Sequence, residues 1–288
     1  MKKKKTLFQT VEPYLYILPA FIFFCLFVFW PFGKTLYLSL SRTTPLGEAA
    51  QFVGLQNFIN IFTDKDFYNS LLVSFEYAIM MVVFSIALGF ILAVVSNEKM
   101  KGKAIFRTIY ALPMAVSAAA ASVVFMFIFH SSLGILNRVL GTNIGWLTDS
   151  KWALISVTIV SVWMNIGMNY IYITAALQGV PDDLYESASL EGAGFFHKHK
   201  DVTIPCISPT LFFLLIINVI NSLQAYAQFK MMTQGGPSNS TNVIVYEIYQ
   251  EAFINSRFGV ACAESIALFL ILIVLTAIQF RLEKRVTY

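Results

Sequence analysis

Charge is what this chain lacks most for its length. Asp, Glu, Lys and Arg supply 12% of its 288 residues, where a soluble domain carries about a quarter. The net charge is only +4, and the basic residues are spread among loops instead of striped along one face, which excludes a nucleic-acid surface. Cysteine is scarce as well. Cys25, Cys206 and Cys262 lie in or beside apolar runs, and their odd number and spacing argue against a disulfide framework or a metal site. His197 and His199 are close in sequence, but no Glu or third His completes a ligand set, so no metal is expected. The chain has no G-x-x-x-x-G-K-[ST] phosphate loop and therefore does not hydrolyse ATP by itself. H-E-x-x-H and G-x-S-x-G are missing too. No catalytic residues and no cofactor of its own are expected.

Apolar length is what the sequence has in abundance. Hydrophobic residues make up 57%, and the mean hydropathy is +0.69. A bilayer core of about 30 Å takes about 20 apolar residues in a helix. The chain offers six such stretches, predicted as helices over about 14–38, 71–95, 109–129, 152–177, 207–229 and 260–280. The first follows a basic start, Lys2–Lys5, but is too long for a signal peptide and has no small-residue cleavage site after it. The expectation is an all-α polytopic membrane protein: an N-terminal tail over 1–13 and a single transmembrane domain over 14–288. Six spans put both termini on one side. Lys2–Lys5, Lys99, Lys101, Lys103, Arg107, Lys198, Lys200, Arg281, Lys284 and Arg285 fall on the side of the termini. Lys34, Arg42, Lys65, Arg138, Lys151, Lys230 and Arg257 fall on the other. The basic excess marks the termini as cytoplasmic. Glu76 and Glu264 sit at the ends of apolar runs and are expected at the external interface.

The segment 181–205, PDDLYESASLEGAGFFHKHKDVTIP, is mixed in polarity yet patterned. Pro181, Asp182 and Asp183 suit a helix N-terminus. Leu184, Ala188 and Glu191 share a face, with Tyr185 and Ser189 beside them. Gly192 and Gly194 are expected to stop this helix by left-handed turns, and a second short run follows from Phe195 to Asp201. Helix, sharp turn, helix on the cytoplasmic side reads as a docking element for another protein.

Two membrane runs carry polar faces. Asn218, Asn221, Ser222 and Ala225 fall at i, i+3, i+4 and i+7. Ser161, Met164, Asn165 and Met168 form a similar face, with Trp163, Asn169 and Tyr172 nearby. Amides and hydroxyls in hydrocarbon must pair or face a wet cavity. Packing between helices accounts for them as well as a solute path does.

Glu186-Ser-Ala-Ser-Leu-Glu191-Gly192-Ala193, followed by Thr203-Ile204-Pro205, resembles the EAA loop of binding-protein-dependent ABC importer permeases. Ser187 stands where a second alanine is usual, Glu191 where aspartate is usual, and His199 where phenylalanine is usual. Phe52-Val-Gly-Leu-Gln-Asn57, Arg107 through Leu112-Pro113, Gly134-Ile-Leu-Asn137, Trp163, Leu177-Gln-Gly-Val-Pro181, Thr233-Gln-Gly-Gly-Pro237 and Phe258-Gly259 are similar, in the same order, to the sugar-importer branch of maltose and glycerol-3-phosphate permease type. The resemblance implies a type I importer fold. It also implies a second permease, two ATP-binding cassette subunits that bind the ATP, and an external solute-binding protein. Leu184, Tyr185, Ala188 and Ala193 would pack on the ATPase, Glu186 would order the loop, Gly192 would set its turn, and Glu191 belongs to the same ATPase-coupling set. The two polar faces match the family's sugar-contacting helices. Neither face has Arg or Lys, which favours a neutral sugar over glycerol-3-phosphate or another polyol derivative. A stand-alone secondary transporter would instead show broken helices and midplane charges, and no clear set of these is present.

Overall fold

The computed structural model describes residues 7–97 and 103–286. Lys2–Lys5, Lys99 and Lys101, part of the basic excess, lie outside these residues. The elements are α1 (Leu7–Phe24), which runs through a π-turn into α2 (Trp30–Ser39), a hairpin of β1 (Ser41–Thr43) and β2 (Ala49–Phe52), α3 (Gln56–Ile61) and α4 (Lys65–Asn97). Then follow α5 (Lys103–Ala111), α6 (Ala118–Ile128), α7 (Ile135–Leu140), α8 (Ser150–Leu177), α9 (Asp182–Leu190), α10 (Phe195–Lys198), α11 (Ile204–Leu223), α12 (Ala227–Met232), α13 (Ile244–Tyr249) and α14 (Phe258–Val286). The all-α membrane architecture is as expected. Among the described residues, five helical stretches are long and apolar enough to cross a bilayer, or six if the bent pair around Val116 is one span.

Two of the expected spans differ from the structure. The helix predicted over 109–129 is not straight: the pair Ile105–Ala115 and Ala118–Ile128 bends by 101°. Pro113 has no N–H to continue the helical ladder, and Leu112–Ala115 tightens to a 3₁₀ turn. Ser117 then adopts extended backbone and caps α6 through its Oγ, which accepts from the Ala120 N–H at 3.3 Å.

The span predicted over 207–229 is displaced toward the N-terminus. It starts at Phe195, passes through a π-turn at His199–Thr203 and ends at Leu223. Pro205 and Pro209 do not break it. Pro209 cannot donate to the Pro205 carbonyl, and the Ser208 hydroxyl does so instead at 2.8 Å. The helix stops among Asn221, Ser222 and Gln224, where side chains compete with the ladder. Ser222 donates to the Val219 carbonyl at 2.9 Å.

The chain forms two compact units. In the unit that runs to Thr63 and takes in Ile248–Ala267, Asn57 ties the hairpin down by donating to the Ser39 carbonyl at 2.9 Å and the Ser41 carbonyl at 3.0 Å. Gly259 packs in the same place. A Cβ there would lie 3.1 Å from Asn57 Nδ2, and its N–H donates to Thr43 Oγ1 at 3.0 Å. In the unit of Asp64–Glu247 and the chain from Leu268, α4, α8 and α11 pack around Ala93, Val94, Tyr170, Ile173, Leu177, Ile207 and Leu214. Gly89 lets α4 approach α8 closely, since a Cβ there would lie 2.7 Å from that of Asn169.

Candidate coupling loop and solute path

The capped elbow over 181–194 has the geometry its sequence predicts. Pro181 precedes α9 in extended backbone, and Asp182 and Asp183 occupy the first turn, where the helix dipole favours carboxylates. Gly192 sits at φ +82°. Its N–H donates to the Ser189 carbonyl at 3.0 Å, and the Ala193 N–H reaches the Ala188 carbonyl at 2.9 Å. This pair of bonds is a Schellman closure, which needs a left-handed residue between them. Gly194 differs from expectation. It is not left-handed but stands at φ −74°, ψ 176°, as the cap of the next helix. Only one of the two glycines makes the turn.

Leu184, Glu186, Glu191 and Gly192 are exposed, and Ala188 and Ala193 are half-buried. Tyr185 turns back toward its own chain. Its hydroxyl lies 2.9 Å from Thr203 Oγ1, and His199 Nδ1 lies 2.8 Å from the same atom. Thr203 itself is fully buried. This hydroxyl junction joins α9 to the base of the membrane helix. His199 faces inward, with its ring 4.4 Å from Phe195 and 6.4 Å from Phe90. Two apolar residues missed by the helical-face reading are highly exposed at and just after the elbow: Leu190 at 91% and Phe196 at 84%. Their position either side of the turn is the signal that sequence offered.

The two polar faces are placed unequally. Asn218 is buried between helices. Its Nδ2 donates to Asn169 Oδ1 at 2.8 Å and to the Leu214 carbonyl at 2.7 Å, and Ser85 donates to its Oδ1 at 3.4 Å. Ser222 is buried too, whereas Asn221 is exposed. Ala225 lies beyond the end of α11, so it does not continue that helical face. On α8, Ser161 is fully buried and donates to the Val157 carbonyl at 3.0 Å. Asn165 donates to the Ser161 carbonyl at 2.8 Å. Met164, Asn165 and Met168 are half-buried, and Gln228 of α12 approaches Met164 Sδ at 3.9 Å. Gln228 was missed because the break after Leu223 is not visible in the apolar run.

Glu76 is exposed, but Glu264 is buried at 3% exposure. Glu247 and Glu251 are buried as well. Glu251 Oε1 accepts from Arg257 at 2.5 Å and from Asn255 at 2.7 Å. Other motif residues hold loops together. Asn137 donates to the Ser131 and Ile144 carbonyls at 2.8 and 2.9 Å and accepts from Trp146 Nε1 at 2.8 Å. The carbonyl of Gly236, in the 233–237 stretch, accepts from Thr241 Oγ1 at 2.6 Å. Among the described residues there is no group of His, Cys, Asp and Glu that could hold a metal ion.

Comparison with known proteins agrees with this arrangement. Residues 85–288 match the model of the family "Binding-protein-dependent transport system inner membrane component". The sn-glycerol-3-phosphate transport system permease protein UgpA of Agrobacterium fabrum is 35% identical over 283 residues, covering 96% of this chain and 97% of that protein. Its counterpart in Yersinia enterocolitica is 34% identical, with 96% and 95% covered. Among solved structures, a chain of a bacterial ABC transporter involved in import of the acidic polysaccharide alginate superposes with a TM-score of 0.85 at 22% identity, covering 99% of this chain and 100% of that one. A chain of the MetNI methionine ABC transporter gives 0.56 at 16% identity, covering 81% and 99%. The fold is that of a type I ABC importer permease, and the chain belongs to the family of binding-protein-dependent transport system inner membrane components.

Proposed function

We propose that this chain forms, with a second permease, the membrane path of an ATP-driven importer for a sugar or related polyol. The observation that carries this reading is the elbow over 181–194. It is short, closed by the Gly192 turn and tied to a membrane helix through Thr203, yet it leaves Leu190, and Phe196 just after it, exposed. A stiff element with an uncovered apolar tip suits seating in a separate motor protein, so that nucleotide-driven closure there moves the membrane helices as rigid bodies. The excess of Lys and Arg supports a cytoplasmic elbow and cytoplasmic termini. ATP is bound by two partner cassette subunits, and an external solute-binding protein delivers the solute. Asn165, Asn221 and Gln228, with Met164 and Met168, form the polar and apolar lining offered to the solute. Ser161, Asn218 and Ser222 support that lining from behind.

A phosphorylated polyol is a second reading, favoured by the names of the relatives at 34–35% identity. Against it, neither candidate face carries a cation, and a phosphate in a membrane path calls for Arg or Lys. The test is uptake into proteoliposomes that contain both permeases, the ATPase pair and the binding protein. Neutral sugars, oligosaccharides and sn-glycerol-3-phosphate are offered in turn. ATP-dependent uptake of a neutral sugar is expected. Uptake by the permeases without ATPase overturns the reading.

A further inference from the structure

A groove of 550 Å³ runs along α5 and α8, lined by Arg107, Thr108 and Leu112 on one side and by Tyr170, Thr174 and Gln178 on the other. The close approach that creates it depends on Gly167, where a Cβ would lie 2.9 Å from the Tyr110 carbonyl oxygen. Tyr170, Thr174 and Gln178 follow one another at i, i+4 and i+8, a single helical row. Two polar atoms of residues that line this groove have no hydrogen-bond partner among the described residues. Arg107 Nε is buried without a hydrogen bond, and so is Thr174 Oγ1, in a residue only 6% exposed.

Thr174 differs here from its neighbours on α8. The Thr158 hydroxyl donates to the carbonyl four residues back, at 2.7 Å, and that of Ser161 does the same at 3.0 Å. A buried hydroxyl left unpaired is costly, and so is a buried guanidinium nitrogen. Both are the donors that a phosphate oxygen accepts from, and arginine is the residue best shaped for that group.

The surroundings say where the phosphate comes from. Helix α5 turns Ile105, Phe106 and Ile109 outward, while Arg107 lines the groove. It also lies in the stretch that holds Lys99, Lys101 and Lys103 in sequence. An amphipathic, basic helix of this kind lies in the headgroup layer of a membrane. We infer that the groove between α5 and α8 binds the phosphate of an anionic phospholipid, with Arg107 and Thr174 as donors and Ile109 and Leu112 against the acyl chains.

The test uses the complete transporter, stripped of lipid in detergent, with phosphatidylglycerol, phosphatidylcholine or inorganic phosphate titrated back. Bound lipid is read by mass spectrometry and stabilisation by thermal unfolding. Phosphatidylglycerol is expected to bind more tightly than phosphatidylcholine. Arg107→Gln should weaken it about fivefold, the effect of one basic side chain at an anionic surface. Arg107→Lys should retain part of that preference, and Thr174→Val should lose part of it. Two results overturn the assignment. One is an unchanged phosphatidylglycerol preference in Arg107→Gln or, if that variant does not assemble, in Thr174→Val. The other is stabilisation by inorganic phosphate equal to that by phosphatidylglycerol, which places a free anion in the groove. Bound lipid is read without transport, so failure here leaves the importer reading standing.

Discussion

Thr203→Val separates the coupling elbow from the membrane helix with little other disturbance. Valine keeps the shape of threonine and suits the helical backbone at this position, φ −62°, ψ −57°. It deletes the one hydroxyl that meets both Tyr185, at 2.9 Å, and His199, at 2.8 Å. Each lost bond is worth about 0.5–1.5 kcal/mol. The half-buried Tyr185 can turn to water, so the combined loss is set near the middle, about 2 kcal/mol. That raises the ratio of detached to docked elbow roughly thirtyfold. Tyr185→Phe removes only the first contact, so its cost should be about 1 kcal/mol. With valine already at 203, adding phenylalanine at 185 should cost little more, an interaction energy of about 0.5–1.5 kcal/mol. Two assays bear on this. Hydrogen exchange over 182–203 should speed up in both single variants. In proteoliposomes with the complete complex, solute moved per ATP hydrolysed should fall while hydrolysis continues. Full additivity of the two changes, or an unchanged transport ratio in Thr203→Val, refutes the strut.

Three further outcomes are expected. Gly192→Pro should abolish uptake, because proline fixes φ near −65° where the elbow needs +82°. Gly192→Asn should retain most activity, since asparagine tolerates that conformation and an added Cβ meets nothing within 4 Å. Uptake assays on membranes with equal amounts of each variant compare them. Asn218→Leu should lower thermal stability by about 1–3 kcal/mol by stranding Asn169, whereas Asn221→Leu should leave stability alone and reduce uptake. Thermal unfolding of the purified complex beside initial uptake rates separates these effects. A cysteine in place of Ser189 should react with a membrane-impermeant thiol reagent from the cytoplasmic side in the free permease and resist it once the ATPase is bound.

Legibility in the sequence followed how local each device is. The Schellman turn at Gly192 is closed by bonds from residues 192 and 193 back to 189 and 188, so a single stretch specifies it. Gly194 lay in the same stretch and was misassigned, because glycine is equally at home as the cap of a following helix and composition does not separate the two. The bent span and the displaced span differ from expectation for another reason. Apolar length says how much chain can enter a bilayer, but not where a helix bends within it. The 101° bend needed Pro113 and the cap at Ser117 read together. The end at Leu223 needed the side-chain competition of Ser222 set against an apolar run that continues past it.

The polar faces show the limit most clearly, and they also show what the family motifs encode. By spacing alone Asn218 and Asn221 are equivalent. In the structure one is locked against Asn169 and the other is open, because α8 crosses α11 at one depth and not a turn further on. Gly89 on a third helix brings α4 close against α8 at Asn169, which no periodicity on α11 can reveal. Asn57, Gly259, Asn137 and Thr241 have the same character. Asn57, Asn137 and Gly259 stand near the starts of α3, α7 and α14 and Thr241 in a loop, and each takes part in a bond that pairs a backbone group outside the regular ladders. Asn57, Asn137 and Gly259, three residues of the stretches that carry the family resemblance, therefore mark backbone junctions in this structure. On the reading proposed above, solute preference is carried by residues outside those stretches. Asn221→Gln, Gln228→Glu and Met164→Leu should shift which solute is taken up while assembly stays unchanged. Asn57→Leu should do the reverse, with loss of assembled complex and an unaltered preference in what remains.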